Sequence, residues 1–228
     1  MNPSLQLARL LQLASPALPV GAYTYSQGLE WAVEVGTIHD EASAGRWIGD
    51  LMTHGIGRYE APLVAALMAA WSAGDSREIS RLNAEFLASR ESAELRAETA
   101  QMGFSLNRLV RDLRSDELAK VERTLGELDE IAFPTGWAGL AASWQIETLP
   151  ALSAYLWSWA ENQVMAALKA VPLGQASGQR LLADLGRRIP AVAESALTLP
   201  EAAWSNFTPA FALACTRHET QYSRLFRS

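Results

Sequence analysis

The apolar residues of this chain recur at the helical period and give almost no support to β-strands. Runs of strictly alternating apolar and polar residues, which mark half-buried strands, are hard to find. One clear helical face is formed by Leu63, Val64, Leu67, Met68 and Trp71. We therefore predict an all-α fold, with residues 1–228 forming a single-domain bundle of roughly ten helices.

Cap residues and periodicity predict where these helices begin and end. Asp40 is expected to cap a helix over 41–55. After the helix-ending Gly74, Asp75 is expected to cap the next helix, with Glu78 reaching back as in a capping box. The long, nearly all-round apolar segment 151–171 is the predicted central helix. Other helices are predicted over residues 61–71, 89–113, 115–128, 135–147, 174–188, 190–197 and 209–218.

Composition limits the classes of partner and compartment. A chain of 228 residues with 49% hydrophobic content can bury a sizeable core. The formal charge of -6 provides no general basic field, so we expect no nucleic-acid partner. Because Cys215 is the single cysteine, no internal disulfide can form, and the cytoplasm is the expected location.

Two apolar segments require a separate check for export or membrane insertion. Residues 5–20 lack a cationic leader region and are interrupted by Pro16 and Pro19, so we interpret them as part of the mature protein. The segment 151–171 contains Glu161 and Lys169, which are costly in hydrocarbon. We expect no membrane span.

The sequence contains few signs of catalysis. Its three histidines are far apart and have no zinc-type spacing, and it lacks a phosphate-binding glycine loop, so we expect no metal, cofactor or nucleotide site. Cys215 and His218 could share a helix face as a reactive pair, although a buried core role for Cys215 is the simpler interpretation. Glu91, Glu94 and Glu98 have the spacing of di-iron carboxylates but lack the accompanying histidines, which favours a solvated helix face.

Three polar segments are better explained by interaction with another protein. The C-terminal tail, residues 217–228, mixes arginine with aromatic residues, the types that anchor protein interfaces. It could also fold back on its own domain, and both states could occur at different times. Residues 15–30 form a proline-shaped loop before a helix. In the segment 172–179, Gln175 and Gln179 are four residues apart, so both amides point from one helix face, toward an interface or toward local backbone.

Together these motifs resemble the F-type urease accessory proteins. The resemblance rests on residues 13–30 (LASPALPVGAYTYSQGLE), 172–179 (PLGQASGQ) and 217–228 (RHETQYSRLFRS), and it follows the whole chain in order and length. It implies an all-helical, non-enzymatic scaffold and regulator needed for nickel insertion into urease. Such a protein links a D-type accessory protein, also called H-type, to the G-type GTPase, and reaches the urease apoprotein through their complex. The resemblance also allows for a homodimer.

The resemblance assigns residues to two partner surfaces. For the D-type protein, the tail residues are Arg217, His218, Glu219, Gln221, Tyr222, Arg224, Leu225 and Phe226. For the GTPase, the matching residues are Glu30 and Lys169, and the exposed amides of Gln175 and Gln179 are expected on the same surface. The alternatives are a generic helical adaptor and a small helical enzyme that uses Cys215 and His218, or the glutamates near Glu94.

Overall fold

The computed structural model describes residues 2–228, and within that range the chain is helical and has no strand. Short 3-10 turns lie at Ala22–Thr24, Ile56–Arg58, Asp116–Leu118 and Glu201–Ala203. The described residues form eleven α-helices: α1 (Pro3–Ala14), α2 (Leu29–Glu34), α3 (Glu41–His54), α4 (Glu60–Ala73), α5 (Ser76–Ala88), α6 (Ala93–Leu113), α7 (Ala119–Gly126), α8 (Phe133–Ser143), α9 (Thr148–Ala170), α10 (Gln175–Thr198) and α11 (Pro209–His218). The all-α prediction is confirmed.

The predicted caps are confirmed in part. Asp40 accepts from the Ser43 amide at 2.7 Å and caps α3, while Asp75 accepts from the Glu78 amide at 3.0 Å and caps α5. The Glu78 carboxylate, however, pairs with Arg81 at 2.6 Å, so the predicted return bond to the cap is replaced by an ion pair within α5. An acceptor that can reach a guanidinium one turn away gains a charge-assisted bond.

The predicted break at Pro190 is wrong, because α10 continues through it. A proline inside a helix removes one amide donor and usually kinks or ends the helix. Here Leu185, Ile189, Val192 and Ala196, from both sides of the proline, are all buried on one face of α10. Packing of that continuous face against the bundle outweighs the lost hydrogen bond.

Other helices also differ from prediction, and α6 begins at Ala93 and not at residue 89. Residues 3–14 form α1, which was not predicted. Ser115 makes no side-chain cap, and the chain passes through a 3-10 turn before α7, which ends at Gly126. The next helix, α8, covers Phe133–Ser143, a shorter and earlier segment than predicted.

The predicted central helix is confirmed as α9, which contacts α1, α2, α3, α4 and α10. Beside it, α8 packs between α4 and α6 and buries Trp137 completely. The approach of α6 to the start of α8 depends on Gly103, since a Cβ there would lie 2.0 Å from the Ile131 carbonyl oxygen. No helix within residues 2–228 is both long and apolar enough to cross a membrane. Within this bundle, α11 packs against both α2 and α6.

Candidate interaction site

The C-terminal tail folds back onto the body. The backbone amides of Ser26 and Gln27 donate to the Ser228 carbonyl at 2.6 and 3.0 Å. The Ser26 hydroxyl donates to the same oxygen at 2.7 Å, and the Arg227 amide donates to the Thr24 carbonyl at 2.8 Å. The tail is therefore fixed along the proline-shaped loop that precedes α2.

Glu30, in the first turn of α2, lies beneath this tail and is only 7% exposed. Its carboxylate accepts from the backbone amides of Leu225 at 2.7 Å and Phe226 at 3.1 Å. Close packing depends on Gly28, which has a φ of +73° and whose added Cβ would lie 2.8 Å from the Cys215 nitrogen. Only glycine fits this left-handed position at such a short distance from α11.

Two glutamates on α6 also form hydrogen bonds with the tail. Glu94 lies 2.7 Å from His218 Nδ1 and 2.6 Å from Arg224 Nη1. Glu98 accepts from the Ser228 hydroxyl and from Gln27 Nε2, each at 2.7 Å. The solvated-face prediction is thus wrong for Glu94 and Glu98, which bind the tail, whereas Glu91 is exposed as expected.

Burial changes the acidity of one of these carboxyls. Desolvation raises the pKa of Glu98 to about 7, although the hydrogen bonds from Ser228 and Gln27 favour its charged form. Its place on the buried side was visible in the sequence, since Leu95 and Met102 lie on the same helical face. That signal was outweighed by the charges around it.

The acidic side chain of Glu219 links the tail to the beginning of α6. Its carboxylate accepts from the backbone amides of Ala93 at 2.7 Å and Glu94 at 3.3 Å, while Ser92 caps the same helix by accepting from Leu95. An anion at a helix N-terminus is favoured by the exposed amides and the helix dipole. The junction between α11 and the tail is therefore held by backbone groups as well as by charge.

A cavity of about 60 Å³ lies beside this site, lined by apolar side chains together with Gln27, Glu60, Arg90, Glu98 and Tyr155. Gln27 Oε1 accepts from the Trp159 indole at 2.8 Å, so α9 orients the same side chain that contacts Glu98. Across the cavity, Tyr155 donates to Glu60, which pairs with Arg90 at 3.5 Å. The bonds of Gln27 to Trp159 and Glu98 fix the loop on which the tail rests.

The proposed reactive pair of Cys215 and His218 is not formed. Cys215 is 2% exposed and its thiol pKa is raised by burial, as expected of a core residue. Both ring nitrogens of His218 face carboxylates, Glu94 and Glu30, and not the thiol. Across the part of the chain that the structure describes, no group of three or more His, Cys, Asp or Glu side chains could hold a metal ion.

The outer side of the tail exposes large apolar side chains. Tyr222 is fully exposed and Leu225 is 72% exposed, while Phe226 points inward and is buried. Arg217 and Arg224 are also exposed, and Gln221 turns its amide back to the Ser223 carbonyl at 3.0 Å. Exposed aromatic, aliphatic and arginine side chains in one short segment are typical of a protein interface.

Of the four residues assigned to the GTPase surface, three are exposed and one is buried. Lys169, near the end of α9, is exposed, as are Gln175 and Gln179 in the first turns of α10. Glu30 is buried beneath the tail. Lys169 Nζ lies 5.4 Å from the ring centre of Phe226 and 5.9 Å from that of Tyr23, so this lysine contacts the inner side of the tail.

Comparison with known proteins gives the family directly. The UreF family model matches residues 38–186. A protein from Dechloromonas aromatica named urease accessory protein UreF is 77% identical to this chain over 228 residues, which is the full length of both. One of the same name from Azoarcus sp. is 65% identical over 233 residues, covering 100% of this chain and 99% of the relative. A third, from Methylobacillus flagellatus, is 50% identical over 229 residues and the full length of both. The chain belongs to the UreF family of urease accessory proteins.

Proposed function

We propose that the chain is a non-catalytic scaffold for nickel insertion into urease, linking a D-type (H-type) accessory protein to the G-type GTPase. Family membership supports an accessory role and agrees with the prediction that the chain is not an enzyme. The observation that carries the proposal is a tail with its backbone fixed to the body and its large side chains, Tyr222 and Leu225, exposed. We expect this assembly to form in the cytoplasm.

The tail residues divide into two roles in this proposal. Tyr222, Leu225 and Arg217 are exposed and would contact the D-type protein directly, with Arg224 and Gln221 at the edge. A second group would hold the tail in its binding conformation from inside: His218, Glu219 and Phe226. Prior ordering reduces the entropy that binding must overcome, so both groups would contribute to affinity.

The GTPase surface would be formed by Lys169, Gln175 and Gln179, all exposed. Glu30 would act on this surface indirectly, by holding the Leu225–Phe226 backbone against which Lys169 packs. Capture of the D-type protein by the tail would thereby affect how Lys169 meets the GTPase. A ligand shifts such an equilibrium only through different contacts in the two states, and the Phe226 contact of Lys169 is one that can differ.

The D-type surface is tested by capture of that protein on immobilised wild-type and variant chains. Deletion of residues 217–228 and the double change Tyr222→Ala with Leu225→Ala should both reduce capture at least about tenfold, the loss expected when exposed anchors are removed. Leu7→Ala with Leu11→Ala, two exposed leucines of α1, is the matched control. Capture that survives the tail deletion unchanged would remove the tail from the proposal.

The GTPase surface is tested in the same format with the GTP-loaded and GDP-loaded enzyme. Lys169→Ala and Gln175→Ala with Gln179→Ala should weaken recruitment, while Lys120→Ala, which changes the other lysine of the chain, should not. Glu30→Ala should weaken both captures and lower the melting temperature, because it leaves buried amides unpaired. Recruitment equal to wild type in the Lys169 variant would exclude this surface.

The homodimer and the contact with urease apoprotein are parts of the same proposal. Light scattering on the co-purified accessory proteins counts the copies of each chain, and addition of urease apoprotein tests whether the complex engages it. We expect two copies of this chain in the assembly. A mass that fits one copy would exclude the dimer without affecting the two partner surfaces.

A further inference from the structure

The imidazole of His218 is enclosed by acidic side chains at both ends. The residue lies in the last turn of α11 and its side chain is completely buried. Nδ1 lies 2.7 Å from Glu94 Oε2, and Nε2 lies 3.3 Å from Glu30 Oε2. A neutral imidazole has one donor and one acceptor nitrogen, so it can satisfy only one of these two contacts.

Both carboxylates are already committed as acceptors. Glu30 accepts from the amides of Leu225 and Phe226, and backbone amides can only donate. Glu94 accepts from the Arg224 guanidinium, which also has donors alone. The ring must therefore donate from both nitrogens if neither contact is to bring two lone pairs together.

The charges of the cluster agree with this assignment. Glu30 and Glu94 provide two negative charges, and Arg224 provides one positive charge. A second positive charge on His218 makes the cluster neutral, whereas a neutral ring would leave one buried carboxylate without a counterion. Breaking a buried ion pair from one side is strongly destabilising.

From this geometry we infer that His218 is an imidazolium in the folded protein, and that its charge holds the tail in the conformation that a partner binds. The role in partner binding rests on the proposed function, whereas the fastening of the tail does not. His218 is thus a positioning residue. It joins α2 through Glu30 and α6 through Glu94, and the tail reaches the same cluster through Arg224.

The inference predicts the effect of removing one of the two ring donors. A side chain that lacks the second donor would leave a carboxylate facing no hydrogen and loosen the tail. The charged groups facing the ring are Glu30 from α2, Glu94 from α6 and Arg224 from the tail. Glu98 lies one turn beyond Glu94 on α6, and Glu219 is next to His218 in sequence.

Nuclear magnetic resonance of the imidazole nitrogens tests the charge in the wild-type protein. The chain has three histidines, and His39 and His54 are exposed, so they provide internal references. At pH 7 we expect His218 to give two protonated ring nitrogens with slowly exchanging protons. A single protonated nitrogen on His218 at that pH would overturn the inference.

The single cysteine reports on tail fastening without any partner. Cys215 lies one turn before His218 and is buried, so a thiol reagent can reach it only when α11 opens. His218→Asn should raise the thiol reaction rate by about tenfold or more, while His54→Asn should leave it at the wild-type value. An unchanged rate in the His218 variant would contradict the fastening role.

Capture of the D-type protein separates this inference from the proposed function. If His218→Asn raises the thiol reaction rate and also weakens capture, both the role of His218 and the proposed function are supported. If the substitution raises the thiol reaction rate and leaves capture unchanged, His218 fastens the tail but the tail is not the segment that the partner binds. If neither changes while Tyr222→Ala with Leu225→Ala weakens capture, the proposed function stands and the role of His218 is refuted.

Discussion

Replacement of Glu98 by glutamine should remove a specific pH dependence from the stability of the protein. The residue is only 7% exposed, and its pKa is raised to about 7 from an ordinary value of 4.5, with desolvation as the main cause. The folded state therefore holds this proton more tightly than the unfolded state does. Between pH 4.5 and 7 the unfolded chain loses the proton first, so the free energy of unfolding falls as the pH rises.

The size of this effect follows from the two pKa values. At about 1.4 kcal/mol per pH unit, the interval from 4.5 to about 7 corresponds to about 3 kcal/mol. Glutamine keeps the shape of the side chain, an acceptor for Gln27 Nε2 and a donor toward the Ser228 hydroxyl, which can also accept, but it cannot ionise. We therefore expect Glu98→Gln to be about as stable as wild type at pH 4.5 and more stable by up to about 3 kcal/mol at pH 8.

Urea denaturation at pH 4.5, 6 and 8 measures this difference. Taking the difference between variant and wild type at each pH cancels the contributions of all other titrating groups. Glu122→Gln, on the exposed face of α7, is the control and should follow wild type at every pH. A Glu98→Gln protein whose stability relative to wild type is the same at all three values would refute the assignment of a buried, neutralisable carboxyl beneath the tail.

Other expected outcomes concern the core. Gly103→Ala should lower the melting temperature markedly, because the new Cβ would meet the Ile131 carbonyl at 2.0 Å, while Gly126→Ala, with nothing within 4 Å, should leave it equal or slightly higher. Trp137→Ala should cost about 3–5 kcal/mol in the free energy of unfolding measured with urea, since the side chain is fully buried. Native Cys215 should resist a thiol reagent that modifies it rapidly in urea, because burial raises its pKa.

The helices could be predicted from sequence because their signals are local. Caps such as Asp40 at the start of α3 and Gly74 at the end of α4 act within one turn of their helix. Apolar periodicity identifies the buried face of α4 and the central α9. The continuity of α10 through Pro190 could not be predicted in this way. It depends on the bundle that receives the buried side chains on both sides of the proline, which is not a local property.

The residues that hold the tail were harder to identify because they are far apart in sequence. Glu30 and Phe226 are separated by almost the whole chain, yet a carboxylate of one accepts from the amide of the other. The charges around Glu94 and Glu98 suggested a solvated surface, although Glu98 follows the apolar register of α6. Carboxylates that accept hydrogen bonds from distant backbone amides and contact a buried histidine have no short sequence signature.

The two partner surfaces were assigned from family resemblance, and their outcome differs from residue to residue. Tyr222 and Leu225 have the exposure that direct contact requires. Lys169 is exposed as well, whereas Glu30 is buried beneath the tail.

We propose that this chain physically connects two accessory proteins through its folded tail. Size-exclusion chromatography with light scattering, on the D-type protein and GTP-loaded GTPase mixed with this chain, tests this connection. We predict that all three elute together with wild type, and that Tyr222→Ala with Leu225→Ala leaves the D-type protein in a separate peak while the GTPase stays with this chain. Co-elution of all three with that variant, or of the D-type protein and GTPase in the absence of this chain, would contradict it.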